Sequence, residues 1–88
     1  MNFSFVTAQK KHLADWLRLR EDLYRGINRS FHEQEMELYL ADATKECFLA
    51  IDGGGMACGL VEVSLRNVVD GCLSSPVGYI EGIVVDPE

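Results

Sequence analysis

Cys47-Phe48-Leu49-Ala50-Ile51-Asp52-Gly53-Gly54-Gly55-Met56 is where the chain changes its period. Five apolar residues run together and stop at Asp-Gly-Gly-Gly, which supplies the positive-φ residues that a tight turn between antiparallel strands requires. A strand over 47–51 and a second over about 56–69 follow. In the second, Leu60, Glu62, Ser64 and Arg66 fall on one face and Val61, Val63 and Leu65 on the other, so one face is polar. Asp70-Gly71-Cys72-Leu73-Ser74-Ser75-Pro76 is rich in turn formers, and a last strand, Val77–Val85, closes at Asp86-Pro87. These strands form a three-stranded antiparallel meander.

Working back toward the N terminus, 3–6 is short and β-prone, and Thr7 is placed to cap a helix. The apolar positions of that helix, Leu13, Trp16, Leu17, Leu23 and Tyr24, recur at helical spacing, and Gly26 is its natural stop. Ser30-Phe31-His32-Glu33 reads as a capping box opening a second helix that runs to about Thr44. Met36, Tyr39, Leu40 and Ala43 form its apolar stripe, whereas Glu33, Glu35, Glu37 and Asp42 read as a solvated face. The fold class is therefore α+β, a strand, helix and helix followed by the meander.

One residue of the last strand does not fit an apolar element. Glu81 stands among Tyr79, Ile80, Ile83 and Val85, and alternation places it on the face of Tyr79, Ile83 and Val85. Desolvation raises the pKa of a carboxyl, as enzymes do to make a general base work near neutral pH. The alternatives are an ion pair with Arg66 or Arg20, or a place on an exposed strand edge. Gly82 beside it marks a bulge or a close approach of another group to the backbone.

Composition narrows the partners. The chain has 88 residues, enough for one small domain, and 48% of them are hydrophobic against 25% charged. Lys plus Arg number 8 against 14 Asp plus Glu, a net charge of −6, so nucleic acid is not an expected partner; the acidic balance suits a cationic partner or serves solubility alone. No apolar run approaches the ~20 residues that cross a bilayer. No membrane partner and a cytosolic location are expected. Cys47, Cys58 and Cys72 lack metal-ligand spacing and are odd in number, which indicates reduced thiols. His12 and His32 have no ligand spacing either and read as ordinary helix residues, so no metal is expected.

The order of elements, together with Leu17-Arg18-Leu19-Arg20-Glu21-Asp22-Leu23-Tyr24, Val63-Ser64-Leu65-Arg66, Ser74-Ser75-Pro76-Val77 and Tyr79-Ile80-Glu81-Gly82-Ile83-Val84-Val85-Asp86-Pro87-Glu88, resembles the aminoglycoside 6′-N-acetyltransferases of the GNAT superfamily. The resemblance runs along essentially the whole chain. It implies transfer of an acetyl group from acetyl-CoA to a primary amine, with Glu81 accepting the proton of the attacking amine, often through water. It implies that the backbone of Ile83, Val84 and Val85 pairs with the pantetheine arm of acetyl-CoA. Tyr24 stands where these enzymes usually have a tryptophan beside the aminoglycoside. Tyr79 is a further candidate on the substrate side, and Glu62 and Asp70 would add negative potential toward a polycation, unless each is a solvated surface charge.

The family continues past the position of Asp86-Pro87-Glu88 with an Arg/Gln-x-x-Gly-x-Gly/Ala turn that holds the acetyl-CoA pyrophosphate on backbone amides and a helix N terminus. The resemblance thus implies that residues 1–88 are a single, truncated GNAT-like domain, the N-terminal half. Two functions follow from different classes. One is an acetyl-CoA-dependent N-acetyltransferase or its fragment; the other is a catalytically incomplete remnant acting as a homo-oligomeric binding or structural module. For the assembly, the expectation is a homodimer joined through the last strand, whose Ile80, Ile83, Val84 and Val85 would be buried by self-pairing.

Overall fold

The computed structural model describes residues 3–66 and 77–86. Strand β1 (Ser4–Thr7) leads through a 3₁₀ turn, Lys10–His12, into helix α1 (Leu13–Leu23) and helix α2 (Arg29–Ala41). Strands β2 (Lys45–Ile51), β3 (Ala57–Arg66) and β4 (Val77–Val85) complete an antiparallel sheet of order β1-β2-β3-β4. The α+β class and the meander therefore stand, extended by β1, which pairs with β2 so that Thr7 faces Phe48. Asp70 and Cys72 lie outside the described residues.

Several local expectations are corrected by chemistry that competes for the same ends. Thr7 is used by the sheet and does not cap a helix; the turn at Lys10–His12 carries the chain into α1, with the Gln9 amide donating to His12 Nδ1 at 2.9 Å. The cap of α2 is Asn28 and not Ser30, since Asn28 Oδ1 accepts from the Phe31 amide at 3.0 Å and from the Ser30 hydroxyl at 2.8 Å. α2 ends at Ala41 rather than Thr44, because Asp42 Oδ1 takes both the Thr44 amide and its hydroxyl at 2.8 Å. Those bonds hold the Asp42 carboxyl below its usual pKa. At the β2–β3 turn Asp52 does most of the work: its Oδ1 accepts from the Gly54 and Met56 amides, and of its three glycines only Gly55 has a positive φ, 86°.

One face of the sheet carries the helices, and the core lies between them. Trp16, Leu19, Met36, Tyr39, Cys47, Leu49, Ala57 and Leu60 are buried there, with the Tyr39 ring set edge-on to Trp16 at 6.1 Å. Burial pushes the Cys47 thiol pKa up, as suits an inert core thiol, while Cys58 is half-buried and likewise free. The polar face of β3 points inward into this layer. Glu62 is 1% exposed and accepts from Trp16 Nε1 at 2.9 Å and Arg20 Nη1 at 2.6 Å, which joins α1 to β3. Farther along, Arg18 of α1 binds Asp86 at 2.9 Å and the Ala57 carbonyl, and Asp15 accepts from the Ala57 amide.

The pairing of β3 with β4 contains one irregularity that decides where the side chains of β4 point. Glu62 faces Gly82 and Val63 faces Ile80, so Glu81 is an extra residue without an opposite number. A single inserted residue flips the alternation. Tyr79 lies across from Ser64 on the helix side, whereas Ile80, Ile83 and Val85 lie across from Val63, Val61 and Gly59 on the other side. The expected common face of Glu81 with Ile83 and Val85 is therefore wrong, and the bulge is the reason. Ile83 and Val85 are 60% and 70% exposed.

Two stability measurements follow. Asn28→Ala should cost about 0.5–2 kcal/mol in urea unfolding, and Ser30→Ala distinctly less; the reverse order would restore Ser30 as the cap. Glu62→Ala should cost about 3–5 kcal/mol, because it strands the buried Arg20 charge. A loss below about 1 kcal/mol would show that water reaches Arg20.

Candidate functional site

Where α1 ends, α2 begins and β4 bulges, a cleft of about 460 Å³ opens against the sheet. Tyr24, Ile27 and Phe31 contribute aromatic and apolar surface, Glu35 and Glu81 are acidic, and Ser64 and Thr44 bring hydroxyls. The polypeptide turns here because α1 stops at Leu23 and Gly26 takes a φ of 83°, which brings Tyr24 back over the sheet before Asn28 starts α2.

Glu81 meets the cleft through its carboxylate, whose Oε2 accepts from the Ser64 hydroxyl. The bulge makes this contact, since Glu81 reaches Ser64 on the helix side although Ser64 is opposite Tyr79 in the ladder. The resulting Glu81–Ser64 pair is a carboxylate oriented by a donor, half-buried, and aimed along the cleft. Such an arrangement can accept a proton from an amine and hold an ammonium ion.

Tyr24 is fixed from three sides. Its hydroxyl lies 3.3 Å from Glu62 Oε1 and 3.4 Å from the Glu81 carbonyl, and the Arg20 guanidinium sits 4.9 Å from its ring centroid. Burial, with the nearby Glu62 carboxylate, pushes its pKa up to about 12, so it stays a neutral donor throughout the physiological range. Gly82 is required beneath it. A Cβ there would collide with the Tyr24 hydroxyl and come within 2.9 Å of Leu23 Cδ2.

Below Tyr24 runs a buried polar chain. Arg20 is 2% exposed, bonds Glu62, donates from Nε to His32 Nδ1 at 3.2 Å, and lies 3.8 Å from Glu35. Because His32 Nδ1 accepts, Nε2 is the nitrogen left to donate, and it is buried with no hydrogen-bond partner among the described residues. Tyr39 closes the chain on the far side, under Lys45 Nζ at 5.3 Å, and burial raises its pKa as well.

The structure brings Tyr24 and Glu81 together on one cleft. Glu62 is corrected: it is no solvated charge but a buried anion, reaching the cleft only through Arg20 and Tyr24. The alternative pairing of Arg20 with Glu81 fails because Arg20 is committed to Glu62. Tyr79 is beside the bulge, but the cleft lining named above does not include it. Arg20, His32, Glu35 and Ser64 were missed. The signal for His32 was present, since 32, 36 and 39 follow one helical stripe, and that for Ser64 lay in its position two residues from Glu62 on the same face. Among the described residues no group of His, Cys, Asp and Glu could hold a metal, and no helix is long and apolar enough to cross a membrane.

No protein-family model matches the chain. It is 38% identical over 79 residues to aminoglycoside N(6′)-acetyltransferase type 1 of Salmonella enteritidis, covering 89% of this chain and 54% of that protein. The corresponding protein of Acinetobacter baumannii is 36% identical over 86 residues, covering 97% of this chain and 58% of its own. The chain thus spans about half the length of the curated relatives it matches. Among solved structures, aminoglycoside 6′-N-acetyltransferase AAC(6′)-Ih from Acinetobacter baumannii superposes with a TM-score of 0.90 at 32% identity over 98% of this chain and 58% of that one. AAC(6′)-Iy, solved with the bisubstrate analogue CoA-S-monomethyl-acetylneamine, gives 0.93 at 34% identity over 99% and 59%. A GNAT acetyltransferase of Staphylococcus aureus, 14% identical, shares the fold at 0.70. Sequence and architecture agree over nearly the whole of these 88 residues: the chain is similar to a little over half the length of the aminoglycoside 6′-N-acetyltransferases it matches and has the corresponding part of the GNAT fold.

Proposed function

We propose that the chain serves the transfer of an acetyl group from acetyl-CoA to the 6′-amine of an aminoglycoside, with Glu81 taking the proton of the attacking amine. The observation that carries this reading is the carboxylate of the bulge residue, held by Ser64 on the lining of an aromatic cleft that Arg20, Glu35 and Lys45 also line. An aminoglycoside is a polycation with apolar ring faces. The chain's net charge of −6 attracts it, Glu81 receives its amine, and Tyr24 and Phe31 give the flat surface on which a sugar ring rests.

The chemistry is a direct displacement. The 6′-ammonium loses a proton to Glu81, the nitrogen lone pair attacks the thioester carbonyl, a C–N bond forms, and the C–S bond breaks; a second nitrogen proton passes to the departing CoA thiolate, leaving the neutral amide and CoA thiol. Acetyl-CoA supplies the activated acyl group. The residues present fit it: β4 is the outer strand of the sheet among the described residues, so the backbone of Ile83, Val84 and Val85 faces outward on one edge and can pair with an extended amide-bearing arm. The reaction belongs in the cytosol, where acetyl-CoA is available.

A second reading is favoured by the same edge. Ile80, Ile83 and Val85 are exposed and apolar, which suits antiparallel self-pairing of β4 in a homodimer without catalysis. The two uses compete for one set of backbone groups. Acetyl-CoA should therefore bind saturably in calorimetry and convert any dimer seen in sedimentation to monomer; a dimer indifferent to acetyl-CoA, with no heat of binding, would favour the module. Val84 packs against the core, so Ile83→Lys is the variant that tests the dimer edge.

For the reaction itself, the chain mixed with acetyl-CoA and an aminoglycoside bearing a 6′-amine should release CoA thiol, and the 6′-hydroxyl analogue should not. Glu81→Gln should lower the rate about 10²–10⁴-fold while leaving acetyl-CoA affinity nearly unchanged. Full activity in that variant would move the base elsewhere.

A further inference from the structure

We infer that Arg18 is a positioning residue for acetyl-CoA: from α1 it latches the end of β4, and so holds the outward-facing backbone of Ile83, Val84 and Val85 in line for an extended amide-bearing arm. This rests on the reading of that edge as the acetyl-CoA site. Neither Arg18 nor its partners line the cleft that holds Glu81.

The ladder between β3 and β4 ends where Gly59 faces Val85, and just past it the Asp86 amide still donates to the Cys58 carbonyl at 2.7 Å. Strand ends fray first, because they have the fewest bonds to lose. Here side chains of α1 take over. Arg18 Nη1 donates to Asp86 Oδ2 at 2.9 Å, and Nη2 of the same guanidinium donates to the Ala57 carbonyl. Three residues earlier on α1, Asp15 accepts from the Ala57 amide at 3.2 Å. Positions three apart are neighbours on a helix, so one face of α1 grips the start of β3 and the end of β4 together.

The grip falls where β3 bends. Ala50 faces Gly59 whereas Ile51 faces Ala57, so Cys58 is an extra residue on β3, and a bulge of this kind turns the strand and sharpens its twist. How that bulge is held sets the direction in which the Cys58 carbonyl meets Asp86. Both backbone groups of Ala57, beside the bulge, are held by α1. The Arg18 and Asp86 side chains are 40% and 26% exposed, and an ion pair so placed contributes little alone. Arg18 matters because the same guanidinium is also tied to backbone. Ile83, Val84 and Val85 lie directly before the latch, whereas Glu81 is five residues, or about 16 Å, back along the strand. Hydrogen bonds to an extended partner weaken steeply with distance and angle, so a loose end spoils the pairing edge and leaves the proton acceptor in place.

Arg18→Met keeps an unbranched stem and removes the guanidinium. Calorimetry should show acetyl-CoA bound about five- to tenfold more weakly. In the transfer assay the acetyl-CoA KM should rise by a similar factor, with kcat and the aminoglycoside KM within about twofold. Asp86→Ala should also weaken acetyl-CoA binding, and the double variant should bind no worse than Arg18→Met, since the two residues form one contact. Amide hydrogen exchange separates a latch from a general loss of stability. In Arg18→Met, protection of the residue 86 amide should fall about tenfold or more, while that of Leu49 at the centre of the sheet holds. Additive losses, an equal rise in both KM values, or unchanged protection at residue 86 would overturn the inference. Should the unaltered protein not bind acetyl-CoA, the reading of the β4 edge fails with it, and the exchange measurement still decides whether the latch exists. Asp86→Ala leaves the core untouched and carries that measurement if Arg18→Met does not fold.

Discussion

A buried ion pair organises this protein. Glu62 and Arg20 are each almost wholly withdrawn from water, and taking both charges out of water costs several kcal/mol apiece unless their remaining hydrogen-bonding capacity is filled. Filling it dictates the neighbours. Glu62 takes an indole N–H, a guanidinium N–H and a phenol O–H; Arg20 takes the carboxylate, an imidazole nitrogen and the face of a tyrosine ring. Those partners come from α1, α2 and β3, so the pair fixes how both helices sit on the sheet. An apolar pair would pack the same layer and leave Tyr24 without a reason to stand where it does.

From that constraint the site grows outward. Tyr24, anchored by Glu62, lies over Gly82 and the Glu81 carbonyl, and the bulge of β4 brings the Glu81 carboxylate round to Ser64 on the helix side. The sheet ladder alone would have turned residue 81 according to strict alternation, away from Ser64 or toward it depending on register. One extra residue settles the direction. The glycine after it is a consequence of the close approach, not of an unusual dihedral, since its φ is not positive.

Much of this was legible in the residues. The Asp52–Gly55 turn, the two amphipathic helices and the odd carboxylate in an apolar strand all appear as breaks in period, and period is a local property. The buried face of β3 was not legible, because Glu62 and Ser64 alternate with valines in a pattern that serves equally for a wet outer face and for a polar interior satisfied from across the core. Only Trp16, Arg20 and Tyr24, some forty residues away in sequence, decide between the two. The face of Ile83 and Val85 was misread for a related reason: Gly82 suggested a bulge, but the residue count between paired positions exists only once the register is known. Caps were misread where two side chains within two residues of each other, Asn28 and Ser30, compete for the same amides.

The Tyr24 hydroxyl lies 3.3 Å from the Glu62 carboxylate and 3.4 Å from the Glu81 carbonyl, and the charges of both Glu62 and Glu81 raise its pKa. Their surroundings make them unequal. The inner one is neutralised by Arg20, with Trp16 completing its shell, and is closed off from the cleft. The outer one is oriented by Ser64 at a surface where a cationic amine can reach it. The guanidinium goes to Glu62 and the Ser64 hydroxyl to Glu81, so one carboxylate is satisfied inside the core while the other stands on the cleft lining.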